Sequence, residues 1–278
     1  MILDTPLGWG LLLLFGIFTG VLAGLLGIGG GLLLVPALIF SGATTIQATA
    51  TSLIGVFLSA TSGSLRNLKA GELNWKASLN LAAFGILTAQ VGAWIGDRLS
   101  DRLLSLGFAI LLLVTIFLMG LRKQLAKREQ QREREAAAKI TQEHEAQSGE
   151  PPSSEGNYRF VPMMGIGLLA GLLSGLFGVG GGVVMVPLQM LILGESIKAA
   201  VRTSLGAIVA IAASGLVQHT LNNNVLWIPG IALGLGGILG AQFGSRLLPK
   251  LPDQLIGVLF RLLLIALAVY MMIRATVG

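Results

Sequence analysis

The stretch GVLAGLLGIGGGLLLVP (residues 20–36) places three consecutive glycines inside an apolar run, and GLLSGLFGVGGGVVMVP (residues 171–187) repeats it 151 positions later. TSL at 51–53 recurs at 203–205, 152 positions on, and GAWIGDRL at 92–99 resembles GAQFGSRL at 240–247, at an offset of 148. These matches predict two related halves. Such repeats, packed about a pseudo-two-fold axis with the binding site between them, are typical of secondary transporters.

The composition around these stretches is that of a membrane protein. Of 278 residues, 54% are hydrophobic and only 12% are charged, against about 25% charged in soluble domains. Residues 5–65 contain no Asp, Glu, Lys or Arg. Because a helix needs roughly 20 apolar residues to cross the bilayer, and the apolar runs are continuous, we predict an all-α polytopic membrane protein and exclude a β-barrel.

Eight charge-poor elements divide into two groups of four, at 9–40, 44–65, 77–96 and 103–121, then at 161–193, 197–220, 226–245 and 254–273. The chain is therefore divided into a first membrane repeat (1–121), a linker (122–160) and a second membrane repeat (161–278). The linker begins with Arg122 and Lys123 and includes KREQQREREAAAK. Since basic residues favour the cytoplasmic side, we expect a cytoplasmic linker. Whether the halves are parallel or inverted stays open at this point.

The first and fifth elements are too long to be single spans. Residues 9–40 would make a helix of roughly 48 Å, against ~30 Å of hydrocarbon. We expect both elements to break at the triple glycines, where unwound backbone exposes N–H groups and the positive ends of two half-helices. This predicts an anion site without formal charge, at Gly29, Gly30, Gly31, Gly180, Gly181 and Gly182. The alternative is that these glycines only permit close helix packing, as the small residues at 16, 20 and 24 do.

The paired G-x-G-G-G segments, each ending in V-P and followed by A-x-x-T-S (residues 48–52 and 200–204) and a Trp-bearing loop, resemble the TauE/SafE family. This family is also called the toluene-sulfonate uptake permease family. The resemblance implies a multi-pass protein of the bacterial plasma membrane that transports sulfite, sulfonates or related small sulfur-containing anions. It fixes neither the anion nor the direction of transport.

Polar residues within the predicted spans are candidates for contact with the anion. The hydroxyl groups of Thr51, Ser52, Thr203 and Ser204 can donate to an oxyanion or bond back to carbonyls of their own helix. Gln90 and Gln242 lie in apolar elements and can offer amides to an anion or bridge two helices.

Two arginines complete the candidate set. Arg202 adjoins Thr203, and Arg261 either faces a cavity or extends to the interface. His219, within QHTLNNN, is expected to be a solvated loop residue.

Several function classes are excluded by the residues that are missing. The sequence has no cysteine, no Walker motif and no metal-ligand spacing between His144 and His219, and GIGGG lies in a membrane segment. We therefore predict no enzyme activity, catalytic residue, cofactor, metal site or nucleic-acid partner; the partners are the lipid bilayer and a small anion.

The carboxylates outside the linker lie at the ends of spans, which argues against an acidic proton relay. Export of an anion could therefore run on the membrane potential alone. A carrier is favoured, with an anion channel or a non-transporting membrane scaffold as the alternative. The sequence leaves the oligomeric state open.

Overall fold

The computed structural model describes residues 6–118 and 160–277, so the predicted linker lies outside it except for Phe160. Ten α-helices are present within these residues: α1 (Pro6–Leu26), α2 (Gly31–Phe40), α3 (Thr45–Lys69), α4 (Trp75–Gly96), α5 (Asp101–Leu118), α6 (Phe160–Phe177), α7 (Gly182–Ile192), α8 (Ile197–Leu221), α9 (Trp227–Leu247) and α10 (Asp253–Val277). A short 3-10 turn, Leu248–Lys250, precedes α10. Eight of these helices are long and apolar enough to cross a membrane, which confirms the predicted all-α polytopic fold.

Local sequence signals set the start of the two longest inner helices. Thr44 and Gln47 form a reciprocal capping box at the start of α3. The Ser196 side chain accepts the N–H of Ala199 at the start of α8. In each case a hydroxyl satisfies a backbone donor that the helix itself leaves unpaired.

The chain breaks at both glycine segments. Residues 27–30, the first loop, separate α1 from α2, and residues 178–181, the second loop, separate α6 from α7. Three glycines in each loop have φ between 69° and 82°, namely Gly27, Gly29, Gly30, Gly178, Gly180 and Gly181. This left-handed backbone is costly for any residue with a Cβ, so the loops require glycine.

Small residues bring α1 and α9 together in a parallel pair. Cβ atoms built on Gly16 and Gly20 would lie 3.0 and 2.8 Å from the Cα atoms of Leu233 and Gly237. The contacts advance in step along both helices, so the two helices run in the same direction. The helices α4 and α6 are also parallel, since Gly167 and Gly171 of α6 pack on residues 81 and 85 of α4.

The central helices α3 and α8 run in opposite directions. A Cβ on Gly63 would lie 3.4 Å from Cδ1 of Leu205, and a Cβ on Gly215 would lie 3.2 Å from Cδ1 of Leu53. As the position along α3 rises, its contact on α8 falls. Because α3 and α8 occupy the same position in the two repeats, the halves are inverted relative to each other.

The helices α1 and α2 form a re-entrant hairpin. Both α1 and α3 run parallel to α9, since Ser62 of α3 bonds the carbonyl of Ile238 while the N–H of Leu226 bonds Thr51. Helices α1 and α3 therefore begin on the same side of the protein, and α2 brings the chain back to that side between them. The equivalent hairpin of the second half is α6 with α7.

The packing corrects one sequence alignment. A Cβ on Gly92 would contact Leu172 of α6, and a Cβ on Gly244 would contact Val21 of α1. Since 21 and 172 are equivalent positions in the two repeats, Gly92 corresponds to Gly244 and the offset stays at 152. The offset of 148, which paired Gly92 with Gly240, is wrong because repeated small residues every fourth position also match when shifted by one turn.

Charge is distributed unequally between the two sides. The side that holds the end of α3 and the start of α8, here called the basic side, carries Arg66, Lys69, Lys76, Lys198, Arg202, Arg246 and Lys250. On this side, Nζ of Lys198 lies 3.5 Å from Oδ1 of Asp253. The opposite side carries Arg98 and Arg102, balanced by Asp97 and Asp101, within the described residues.

Candidate functional site

The two glycine loops meet at the centre of the molecule. A Cβ on Gly31 would lie 2.8 Å from the Cα atom of Val179, and a Cβ on Gly182 would lie 2.8 Å from the Cα atom of Ile28. Any side chain at either position would therefore strike the backbone of the opposite loop. Glycine at these positions permits direct backbone contact between the two halves.

One side chain from each central helix supports both loops. A Cβ on Gly29 would lie 2.8 Å from Cγ1 of Val56 and 3.2 Å from Cγ2 of Ile208; for Gly180 the corresponding distances are 2.5 and 3.1 Å. Val56 and Ile208 are 152 positions apart, so the same residue of each repeat packs against both loops. The pseudo-two-fold axis passes through this contact.

Serine hydroxyl groups cross between the halves. Ser52 donates to the carbonyl of Gly178 at 2.8 Å, and Ser204 donates to the carbonyl of Gly27 at 3.0 Å. Each also lies within hydrogen-bond distance of a carbonyl of its own helix, at residue 49 or 201. The two predicted serines thus reach the glycine loops, but in the structure they bond carbonyl oxygens.

A third serine, which the sequence reasoning missed, binds the first loop. Ser59 lies two helical turns beyond Ser52 on the same face of α3. Its hydroxyl group donates to the carbonyl of Gly29 at 3.1 Å. The equivalent residue in the second repeat is Ile211, so this contact has no counterpart there. The spacing of seven residues from Ser52, two helical turns, is the signal that could have identified it.

Most N–H groups of the loops, and the first two of α2 and α7, have no acceptor within the part of the chain that the structure describes. This holds for residues 28–32 and 179–183, whereas Gly27 and Gly178 donate to the carbonyls of Ala23 and Ser174. These residues are buried, with Ile28, Leu32, Val179 and Val183 fully so. A buried N–H without a partner is rare and costly, so these ten donors are candidates for contact with a bound acceptor.

The loops therefore combine carbonyl oxygens that accept hydrogen bonds with backbone N–H groups that have no acceptor among the described residues. The serines bond the carbonyls of Gly27, Gly29 and Gly178, whereas α2 and α7 direct their positive ends to the same centre. Successive N–H groups next to left-handed residues form concave nests that bind anions. Donors of this kind can bind an anion through its oxygen atoms.

The family model for "Sulfite exporter TauE/SafE" matches residues 12–271. The chain belongs to the TauE/SafE family. It is 28% identical to the probable membrane transporter protein YunE of Bacillus subtilis, over 92% of this chain and 94% of that protein. It is 25% identical to a probable membrane transporter protein of Xylella fastidiosa strain Temecula1, over 94% of this chain and 93% of the relative. No solved structure matches the chain.

The threonines that the TauE/SafE motif A-x-x-T-S contributes lie beside the serines but away from the loop contacts. Thr51 is fully buried, and its Oγ1 accepts the N–H of Leu226 at 2.9 Å, which secures the start of α9. Thr203 is also buried, and its carbonyl oxygen accepts a hydrogen bond from Ser78 at 2.9 Å. Both threonines thus lie where α3 and α8 contact the neighbouring spans.

Arg202 lies at the basic side and pairs with an acidic residue from the other half. Its Nη2 is 3.3 Å from Oε2 of Glu72, and Nη1 of Arg66 is 3.1 Å from the same oxygen. Two guanidinium groups share one carboxylate, so this cluster keeps a net positive charge. It ties the α3–α4 turn to α8 at the basic side.

The two glutamines lie on the outer face of the protein. Gln90 on α4 and Gln242 on α9 are both exposed, whereas Ala89, Ala93 and Ala241 on the same helices are buried. One residue turns a helix by about 100°, so a position next to a buried small residue points away from the packed face. The structure does not bring these glutamines to the glycine loops.

Arg261 lies in α10, partly buried and away from the loops. It has no ion pair within the described residues, and its neighbours Leu262 and Val258 are exposed on the lipid-facing side. The structure therefore does not group it with Arg202 or with the serines.

His219 corrects a second expectation. It lies in the last turn of α8, fully buried, and its Nε2 is 3.0 Å from the carbonyl oxygen of Gly175. The expectation of a solvated loop residue was wrong, because α8 extends to Leu221 and presents this position to α6. Asn67 occupies the equivalent position of the first repeat and is also fully buried. The repeat offset of 152 relates Asn67 to His219, and it was the sequence signal that connects these two buried positions.

Proposed function

We propose that this TauE/SafE family member is a secondary transporter that exports small sulfur-containing anions such as sulfite or organosulfonates. The anion binds where the two glycine loops meet. The observation that carries this proposal is the set of ten buried N–H groups, at residues 28–32 and 179–183, without an acceptor among the described residues.

An oxyanion suits these donors better than a cation or a neutral solute. Sulfite and sulfonates present three oxygen atoms, each able to accept more than one hydrogen bond. A hydrogen bond to a charged acceptor contributes about 1.5–3 kcal/mol, and the half-helix ends add a favourable dipole. Because no formally charged side chain lies in the loops, the anion is bound without an ion pair that would oppose its release.

The inverted halves support alternating access. Rocking one half against the other would open the central contact first to one side and then to the other. The contact between the loops consists of glycine backbone, two aliphatic side chains and the crossing serine hydrogen bonds. At this contact, two crossing serine hydrogen bonds have to be exchanged for the loops to separate.

The basic side is proposed to face the cytoplasm. It carries most of the Lys and Arg residues at the span ends of both halves, as the positive-inside rule expects. The linker at 122–160 would then be cytoplasmic and would join the two membrane repeats, 1–121 and 161–278. A bacterial membrane potential, negative inside, would drive an anion outward with roughly 2.3 kcal/mol per charge per 100 mV.

Purified protein in proteoliposomes tests this proposal with labelled sulfite. We expect saturable flux that unlabelled sulfite on the opposite side accelerates. We expect Gly29→Ala to abolish flux, because its Cβ would enter the central contact, whereas Gly71→Ala should keep it. Gly71 is the matched control: its φ of 70° is close to the 69° of Gly29, but no atom lies within 4 Å of its Cβ position.

Two outcomes would contradict the carrier proposal. Flux that rises linearly with concentration and shows no exchange would indicate a channel. If neither sulfite nor organosulfonates move or raise the thermal stability of the purified protein, the proposed substrate class is wrong.

A further inference from the structure

His219 is a buried titratable residue attached to the helix that leads into the second loop. Its Nε2 lies 3.0 Å from the carbonyl oxygen of Gly175. Gly175 is in the last turn of α6, three residues before Gly178, whose carbonyl accepts the hydrogen bond of Ser52. A change in charge on the ring therefore acts at the end of α6 that leads into the second loop.

The other ring nitrogen has no partner. Nδ1 of His219 is buried and makes no hydrogen bond to the residues that the structure describes. When Nε2–H donates to Gly175, the neutral ring leaves the Nδ1 lone pair unpaired in a dry environment. Nδ1 is therefore the atom that takes up a proton when the ring becomes charged.

The surroundings place one opposite charge near the ring. Asp97, at the end of α4, attracts a positive charge on His219, although burial of the ring opposes that charge more strongly, and Asp97 accepts a hydrogen bond from Asn224 at 2.7 Å. Arg98 follows it, but its guanidinium group stacks on Trp94, 3.5 Å from the ring centroid.

No charged side chain that the structure describes on the other helices packed against α8 lies near the ring. The helices α6 and α7 contain no charged residue, and the charges of α3, with Glu72 beyond it, lie at the opposite end of α8 beside Arg202. On α10, Asp253 also lies at that opposite end, beside Lys198, Arg261 lies in the half of α10 nearer to it, and Arg274 lies in the last turn at the other end of α10.

The first repeat has a residue at the same position that cannot titrate. Asn67 is fully buried, and neither its Nδ2 nor its Oδ1 has a partner within residues 6–118 and 160–277. Both repeats thus bury a polar side chain with an unpaired atom at this position. The ability to bind a proton belongs to the second repeat alone.

We propose that His219 is a proton-binding site linked to anion binding at the glycine loops, so that a proton taken up on Nδ1 raises the affinity for the anion. This inference rests on the proposed function. The imidazolium adds one positive charge near the loops, which favours the bound anion. Linkage is reciprocal, so anion binding must in turn draw a proton onto the protein.

Binding of methanesulfonate to the purified protein tests the inference, because this anion keeps a single charge over the whole pH range used. We expect binding to be about tenfold tighter at pH 5.5 than at pH 8, within the usual range of coupling between sites. Calorimetry in buffers of different ionisation enthalpy should show proton uptake on binding. His219→Asn, which installs the residue that the first repeat uses, should bind with less than about twofold pH dependence and no proton uptake.

The controls separate this inference from the proposed function. Gln218→Asn, at the adjacent and only partly buried position, should behave as wild type. If wild type binds methanesulfonate but His219→Asn retains the wild-type pH profile or proton uptake, the inference is wrong and the transporter proposal stands. If wild type binds no anion, the proposed function fails. Should His219→Asn not fold, calorimetry on wild type decides, since absence of proton uptake overturns the inference.

Discussion

Serine hydroxyl groups join the two halves of this TauE/SafE protein at the level of single residues. Ser52 and Ser204 bond the glycine loops of the opposite repeat, and Ser62 and Ser214 bond the carbonyls of Ile238 and Ile86 across the same boundary. Both pairs obey the offset of 152. Hydrogen bonds of this kind replace the hydrophobic driving force that helices lack in lipid.

Removing either loop-binding serine should destabilise the protein. Ser52→Ala leaves the carbonyl of Gly178 without its donor, and Ser204→Ala does the same to Gly27; an unpaired buried carbonyl costs about 1–3 kcal/mol. Both variants should lower the thermal midpoint in detergent by similar amounts. Thr61→Ala is the control, because the exposed Thr61 bonds only Phe57 of its own helix. Equal midpoints for all three variants would show that the crossing bonds do not contribute.

The sequence identified the polar residues within the spans, but it did not predict which way their side chains point. Ser52, Ser204, Gln90 and Gln242 were all sensible candidates, yet only the serines contact the loops. The helices α4 and α9, which carry the two glutamines, are mostly apolar on all faces, so the usual contrast between a polar and an apolar face is weak there. Only the positions of the small residues distinguish the packed face from the lipid face, and Gln90 lies outside that set.

At the scale of elements, glycine determines which helices can approach closely. The re-entrant helices α1 and α6 each carry glycines every four residues and pack on α9 and α4 through them. The sequence therefore predicted both roles of glycine, close packing within helices and breaks between them. The sequence did not predict which helix would pack against α1 or α6, because glycines every fourth residue also occur in α9.

One alanine should distinguish the packed and open faces of α6. Gly171→Ala would place its Cβ 2.5 Å from the Cα atom of Gly85, which cannot move without shifting α4. Overpacking of this kind typically costs about 1–3 kcal/mol, so we expect a lower thermal midpoint and reduced flux. Gly165→Ala is on the same helix with no atom within 4 Å, and alanine is the better helix former, so its midpoint should stay equal or rise. The reverse order of midpoints would contradict the α4–α6 packing.

For the molecule as a whole, inversion of the halves explains a pattern of charge that the sequence alone left unresolved. By the positive-inside rule, Lys198 and Arg202 at the start of α8 and Arg66 and Lys69 at the end of α3 would give parallel halves opposite orientations. With the halves inverted, Lys198 and Arg202 lie on the same side as Arg66 and Lys69, and one orientation satisfies both. A repeat in sequence carries no information about direction, so only the contacts between α3 and α8 could reveal it.

Cysteine labelling tests the inversion directly, because the native chain has no cysteine. Ala70 and Asn222 end α3 and α8 at equivalent positions 152 residues apart. We expect Asn222→Cys to react with a membrane-impermeant thiol reagent in intact cells, and Ala70→Cys to react only after permeabilisation, since the basic side is proposed to face the cytoplasm. The opposite result would keep the inversion but reverse the proposed orientation and, with it, the cytoplasmic location of the linker. Labelling of both variants from the same side would show that the halves are parallel.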